Sequence, residues 1–354
     1  MTGGTAAPGI LLGYQLPEAL LGGPTAELVT AAERAEAAGV HLLLLGDRPA
    51  APPDAAGPPA AILTASVLAV RTRRIGLVVG AAPAYHEPYN LARMVASLDH
   101  ISAGRAGWLV VTGPDPAADA NHRREGADPE VGRQARAAEF VPLLRDLWDT
   151  WEDGGFVHEK ETGRFIDPAR VHVLDHVGPA LQVRGPLNLI RPPQGHPVVL
   201  APAAEPLVAA EADVLTVGSP DGARAARAAA GSRPLLGTVT PFVAPSEEAA
   251  RDLHARAGAP ASDQEHAVLV GDPGAVAQRL VDWVERGAVD GFTVRFPSPD
   301  AMAAFTGLVL PHLRGAGRFR GAYRAATLRG NLGLARPANR LVERLALAAD
   351  RGRS

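Results

Sequence analysis

A histidine beside a carboxylate can hold and move a proton, and this chain sets such a pair, His86-Glu87, in the run Tyr85-His86-Glu87-Pro88. The same run also reads as a helix start, with Pro88 in the first turn and the Glu87 carboxylate near the positive helix end. Asp47 follows the apolar run Leu42 to Leu45, where a carboxylate either bonds a ligand or shapes the turn before Pro49. His158, His172, His176 and Asp175 are metal-ligand types, but their spacing fits neither a His-Glu-x-x-His helix nor a facial triad on one element. No metal is expected. Asp99-His100 sits at a predicted helix end, where an imidazole is favourable next to the carbonyls. Ser219-Pro220-Asp221 and Asp272-Pro273 carry the N-cap residue followed by proline that opens a helix. The chain has no cysteine, and its one lysine, Lys160, lies in a polar stretch. Disulfides, thiolate nucleophiles and cysteine-held metals are therefore excluded, and Schiff-base chemistry has a single candidate. Neither a nucleophile elbow, a P-loop nor a dinucleotide-binding glycine pattern occurs.

These residues need a scaffold, and the apolar pattern supplies one. Runs of strand length cover Ile10 to Tyr14, His41 to Leu45, Ile75 to Val79 and Trp108 to Thr112. Four more cover Val198 to Leu200, Val214 to Val217, Leu235 to Val243 and Phe292 to Phe296. Helical patterns follow each, among them Thr25 to Ala38, Ala60 to Val70, Pro88 to His100 and Arg133 to Trp151. The last of these presents Phe140, Leu143, Leu144, Leu147 and Trp148 on one face. Eight strand-then-helix units predict an α/β protein with a (β/α)8 TIM barrel, although an open doubly wound sheet shares the pattern. The expected division is a barrel over 1–315 and a C-terminal extension over 316–354. Residues 152–196, rich in Gly and Pro, form an excursion between helix four and strand five. The polar stretch Pro114 to Val131 follows strand four and is the candidate lid.

Length and charge narrow the function. The 354 residues are 47% hydrophobic, enough for a large core, and 35 basic against 38 acidic residues leave a net charge of −3. That balance gives no bulk attraction for nucleic acid or anionic lipid. The N-terminal residues show no basic and apolar leader, and no apolar run approaches the roughly 20 residues of a membrane span. A cytoplasmic protein is expected.

The segment Tyr85 to Thr112, YHEPYNLARMVASLDHISAGRAGWLVVT, resembles the bacterial luciferase-like, flavin-dependent monooxygenase superfamily. Within it, the likeness is to the nitrilotriacetate, dibenzothiophene-sulfone and pristinamycin-type branch. The resemblance continues in Leu147-Trp148-Asp149-Thr150-Trp151-Glu152, Gly163-Arg164-Phe165, Val183-Arg184-Gly185-Pro186-Leu187-Asn188, Val270-Gly271-Asp272-Pro273 and Thr327-Leu328-Arg329. It implies a (β/α)8 barrel acting in a two-component system. A flavin reductase partner would supply reduced FMN, and O2 with a small-molecule substrate would react over the strand ends. Homo-oligomers are common among such relatives.

The resemblance also places the cofactor positions: Asp47 after strand two, Ala82 after strand three, Leu109 on strand four, Arg133 and Gln134 before the long helix, and Ala204 after strand five. Tyr85 and Trp108 would wall the substrate pocket or pack in the core, and His86 and Glu87 are the catalytic candidates. At several of these positions the chain departs from the family. Leu109 stands where an asparagine is usual, Gln134 where a tyrosine is, and Ala201-Pro202-Ala203-Ala204 where a serine-rich phosphate loop is. A hydrogen bond to a charged group contributes roughly 1.5–3 kcal/mol, against about 8 kcal/mol for the whole of micromolar binding. Two readings follow. One is a flavin-dependent monooxygenase acting on a small, apolar substrate. The other is a barrel that no longer binds FMN and serves as a non-catalytic subunit, a ligand-binding protein or a cofactor-independent enzyme.

Overall fold

The computed structural model describes residues 9–50, 57–122, 129–258 and 266–351, with the backbone alone at 129–131 and 348–351. Eight parallel strands close on themselves: β1 (Leu11–Gln15), β2 (Leu42–Leu45), β3 (Gly76–Ala81), β4 (Ala106–Val110), β5 (Val198–Pro202), β6 (Val214–Val217), β7 (Leu235–Val243) and β8 (Gly291–Arg295). Each pairs with the next, and β8 returns to β1 in the register Leu11 with Gly291 through Gln15 with Arg295. Closure removes the open-sheet alternative. The expected strand and helix positions hold to within a few residues.

Parity divides the strands cleanly. Leu42, Leu44, Val78, Val198, Leu200, Val214 and Leu236 fill the barrel interior, while Leu43, Leu45, Leu77, Val79, Val110 and Val199 face the helices. With both faces buried, β2 needs the uninterrupted Leu42–Leu45 run. The inner helices are α1 (Thr25–Ala37), α2 (Ala61–Arg71), α3 (Pro88–Ile101) and α4 (Pro129–Trp148). α3 opens on Pro88 and buries Leu91, Val95 and Leu98, a three-to-four-residue stripe. α4 buries the face expected of it, from Phe140 to Trp148.

The sequence pattern did not announce a ninth parallel strand, Ala267–Gly271, which joins the outer half of β7. β7 has nine residues, and only its first half is used in closing the barrel, so Val239 to Val243 needs another partner. The excursion contains two small hairpins, Phe156–Glu159 with Arg164–Ile166 and His176–Val177 with Gln182–Val183. Within the polar stretch after β4, Pro116–Asn121 is helical, capped by Asp115, while 123–128 lie outside the described residues.

The C-terminal segment seals the barrel at the N-terminal ends of the strands. Leu328 is fully buried and packs with Leu332 in the interior cluster, and its N–H donates to the Gly104 carbonyl at 2.9 Å. Gly76 allows this, since a Cβ there would lie 2.4 Å from Leu328 Cδ1. Charges ring the plug. Arg329 Nη2 donates to Asp213 Oδ2 at 2.9 Å and to the His196 carbonyl at 3.0 Å, and Arg145 reaches Asp213 at 3.0 Å. His196 Nδ1 takes a hydrogen bond from Arg145, and Nε2 donates to Asp149 at 2.8 Å. Burial pushes the His196 imidazole below its usual range, so it sits there neutral. Burial opposes ionisation of both carboxyls, but His196, the Arg340 N–H and Arg191 outweigh it at Asp149, and Arg145 and Arg329 outweigh it at Asp213, so both are held low.

Candidate active site at the barrel mouth

At the opposite end the inward-facing positions differ around the ring. Gln15 lies beside Leu44 and Arg295, Thr216 beside Leu236, and Thr238 beside Thr293. All five polar residues therefore share the parity of the interior leucines and project into the barrel. They come from β6, β7, β8 and β1. The facing strands, β3 to β5, end inward in Gly80, Leu109 and Pro202, with exposed Val111 just beyond β4. One half of the mouth is polar and the other apolar.

The polar half is under-bonded. Thr293 is 4% exposed, and its Oγ1 is buried with no hydrogen-bond partner. Thr238 Oγ1 donates to the Val217 carbonyl at 3.2 Å. The half-buried side chains of Gln15 and Arg295 make no hydrogen bond or ion pair among the described residues. Buried polar groups are normally hydrogen-bonded, so the Thr293 hydroxyl is the exception on this side of the mouth.

Across the mouth the rim is tied down. The Tyr85 hydroxyl donates to Asp119 Oδ1 at 2.9 Å and accepts from Arg133 Nη1 at 3.1 Å, while Arg133 Nη2 pairs with Asp119 Oδ2 at 2.9 Å. Burial, reinforced by the Asp119 carboxylate, raises the Tyr85 hydroxyl above its ordinary range, and the Arg133 hydrogen bond lowers Asp119. His86 Nδ1 lies 3.0 Å from the Ala82 carbonyl, which can only accept. Nδ1 therefore carries a proton in this contact. Arg136 locks this turn, donating to the Pro83 carbonyl at 2.9 Å and the His86 carbonyl at 2.7 Å.

The remaining expected positions fall as follows. Asp47 Oδ1 accepts from Ala61 N at 3.1 Å, so it bonds the first N–H of α2 rather than only shaping the turn before Pro49. Glu87 stands at the N-cap of α3 but makes no capping hydrogen bond there, pairing instead with Arg136 at 3.3 Å. Ala82 is buried in the turn after β3, and Leu109 faces inward on β4. Gln134 and Ala204 are exposed. Trp108 is corrected as a pocket wall: Gly107 and Leu109 point inward, so Trp108 points to the helices, where Nε1 donates to the Ala81 carbonyl at 3.0 Å. Core packing, the other expectation for it, is what the structure gives. His172 pairs with Glu152 and His176 with Glu139, while His158 meets Phe165 edge-on, so these histidines have separate partners. A cleft of about 720 Å3 opens between α1 and the helix Pro299–Ala304, lined by Leu20, Thr30, Arg34, Met302 and Thr306. It lies on the outer helix layer, and none of these side chains suits redox chemistry.

Reasoning from sequence missed Gln15, Thr216, Thr238, Thr293 and Arg295. Alternation along the last residues of β1, β6, β7 and β8 was the available signal.

The sequence profile of the family described as luciferase-like monooxygenase matches residues 8–265. The chain is 32% identical to nitrilotriacetate monooxygenase component A of Aminobacter aminovorans, over 77% of this chain and 78% of that protein. It is 32% identical to the N-acetyl-S-(2-succino)cysteine monooxygenase of Bacillus subtilis (strain 168), over 78% and 81%. The solved EDTA monooxygenase of Chelativorans sp. BNC1 superposes with a TM-score of 0.78 at 26% identity, covering 93% of this chain and 99% of that one. No described helix is long and apolar enough to cross a membrane. With the barrel closed and the profile matched over most of its length, the chain belongs to the luciferase-like monooxygenase family.

Proposed function

We propose that this chain is the oxygenase of a two-component system, binding reduced FMN at the barrel mouth and inserting one oxygen atom of O2 into an organic substrate. The observation that carries the reading is the unpartnered, buried Thr293 hydroxyl in a mouth that is polar on one side and apolar on the other. A flavin ring has the same division, an apolar benzenoid end and a pyrimidine edge of carbonyls and N–H. Thr216, Thr238 and Thr293 suit that edge, and Gly80, Leu109 and Pro202 suit the apolar end. Reduced FMN supplies two electrons, with which one atom of O2 enters the substrate and the other leaves as water.

The chain's own residues position and protect. The interior leucines close the space beneath the site to water. His86, held through Nδ1 by the Ala82 carbonyl, is the candidate for exchanging a proton through Nε2. The Tyr85–Asp119–Arg133 cluster holds the helix Pro116–Asn121 against the rim. For the phosphate the described side chains other than Arg295 offer little. Pro202, Ala203 and Ala204 carry no donor, and Arg133 already pairs with Asp119. Affinity for FMN should accordingly be modest, which suits a cofactor handed over by a reductase and released after each turnover.

The reading without flavin rests on polar groups lost at Ala82, Leu109, Gln134 and Ala204. The hydroxyls of Thr216, Thr238 and Thr293 support a flavin site despite those losses. Anaerobic titration with reduced FMN, followed by rapid mixing with O2, tests the proposal. Saturable binding at micromolar concentration and a changed rate of flavin reoxidation are expected. Absence of binding at high micromolar FMN sinks it.

A further inference from the structure

We infer that Arg295, assisted by Gln15, forms an anion subsite that selects substrates carrying a carboxylate or a similar organic anion. The inference rests on the monooxygenase reading and deepens it by naming the substrate class, in place of the purely apolar substrate expected from sequence. Arg295 ends β8 one inward position beyond Thr293, so it stands nearer the open end of the mouth than the hydroxyls assigned to the ring. Gln15 is its direct neighbour on β1, with Cα atoms in register. Among the described residues neither side chain has a partner, and no carboxylate pairs with Arg295. The contrast with the other rim arginines is informative. Arg133 is neutralised by Asp119, and Arg136 is held by two carbonyls and Glu87. Arg295 alone among these three keeps its five donors available. A half-buried guanidinium without a counter-charge gains most from an anionic ligand, which it can grip through two parallel hydrogen bonds. The Gln15 amide adds a neutral donor beside it. The facing apolar half accommodates the carbon skeleton, so the substrate class is an organic acid with an apolar body.

The test uses isosteric probe pairs, phenylacetate with phenylacetamide and octanoate with octanamide, titrated calorimetrically into the intact protein with and without FMN. FMN affinity is measured in parallel. In the wild type at least one carboxylate should bind roughly tenfold tighter than its amide, the scale of one charge-assisted contact. Arg295→Gln should erase that preference while leaving amide and FMN affinities within about twofold, and Arg295→Lys should restore part of it. Lack of any carboxylate preference in the wild type overturns the subsite, as does its survival in Arg295→Gln. A loss of FMN affinity in Arg295→Gln also overturns it, since the guanidinium would then serve the flavin. Failure to bind FMN with the carboxylate preference intact removes the monooxygenase reading and leaves the anion subsite standing.

Discussion

The two ends of this barrel use polar residues in opposite ways. At the closed end Arg329, Arg145, Asp213, His196 and Asp149 interlock around an apolar plug. At the open end Thr293, Gln15 and Arg295 project inward and bond to nothing among the described residues. Both ends sit on the same eight strands, so neither propensity nor topology separates them. The difference is charge pairing. The arginines and carboxylates of the closed end meet opposite charges within the chain, although the buried Arg145 Nε makes no hydrogen bond, whereas Arg295 at the open end meets none among the described residues.

Substitutions can press on that contrast from both sides. Arg329→Ala removes a buried partner of Asp213 and should cost about 3–5 kcal/mol, read as a fall in the chemical denaturation midpoint with an unchanged slope. Leu328→Ala opens a void in the barrel floor and should cost about 2–5 kcal/mol by the same measurement, with FMN affinity unchanged in the folded protein. If floor variants left stability intact, the plug would be ornamental. Acid should act on the same end. The Asp149 and Asp213 carboxyls lie below their ordinary value of 3.8 in the folded protein. The stability they contribute is therefore full above that range and lost as pH falls through the folded values. Asp99 works in the other sense: burial pushes its carboxyl up to about 6, so its contribution declines as pH rises from 3.8 to 6. Denaturation midpoints measured from pH 7 to pH 3 should thus fall below pH 4 and fall less steeply in Asp213→Asn.

Mouth variants should do the reverse. Thr293→Val removes a buried hydroxyl with no partner, so stability should stay level or rise by up to about 1 kcal/mol while FMN affinity falls. A clear loss of stability would mean that the hydroxyl serves the fold and not a ligand.

Much of this was legible in the sequence, and the parts that were not share a cause. β2 could be read directly because Leu42 to Leu45 is a fully buried run, and α3 because Pro88 and the Leu91, Val95, Leu98 stripe mark its start and face. The Thr327-Leu328-Arg329 motif was visible, but not that Leu328 plugs the barrel, since its neighbour Gly76 lies some 250 residues earlier in the chain. The mouth was half read for a similar reason. The direction of a side chain at a strand end depends on register, which is set by the neighbouring strands. Trp108 drew attention by its type, yet the inward Gly107 and Leu109 turn it to the helices. Gln15, Thr293 and Arg295 are unremarkable residues until Leu11 and Gly291 are set side by side.

The claim that the mouth is a flavin site meets its most direct test at Gly80, the inward residue of its apolar half, where a side chain would project toward the proposed ring position. A Cβ there has room, its nearest neighbours lying 3.5–3.6 Å away, so the fold should accept a larger residue. Reduced FMN should saturate the wild type at micromolar concentration and bind Gly80→Leu roughly tenfold more weakly or worse, a change of about 1.4 kcal/mol. Equal affinity in the two proteins would contradict the placement of the flavin in this barrel mouth.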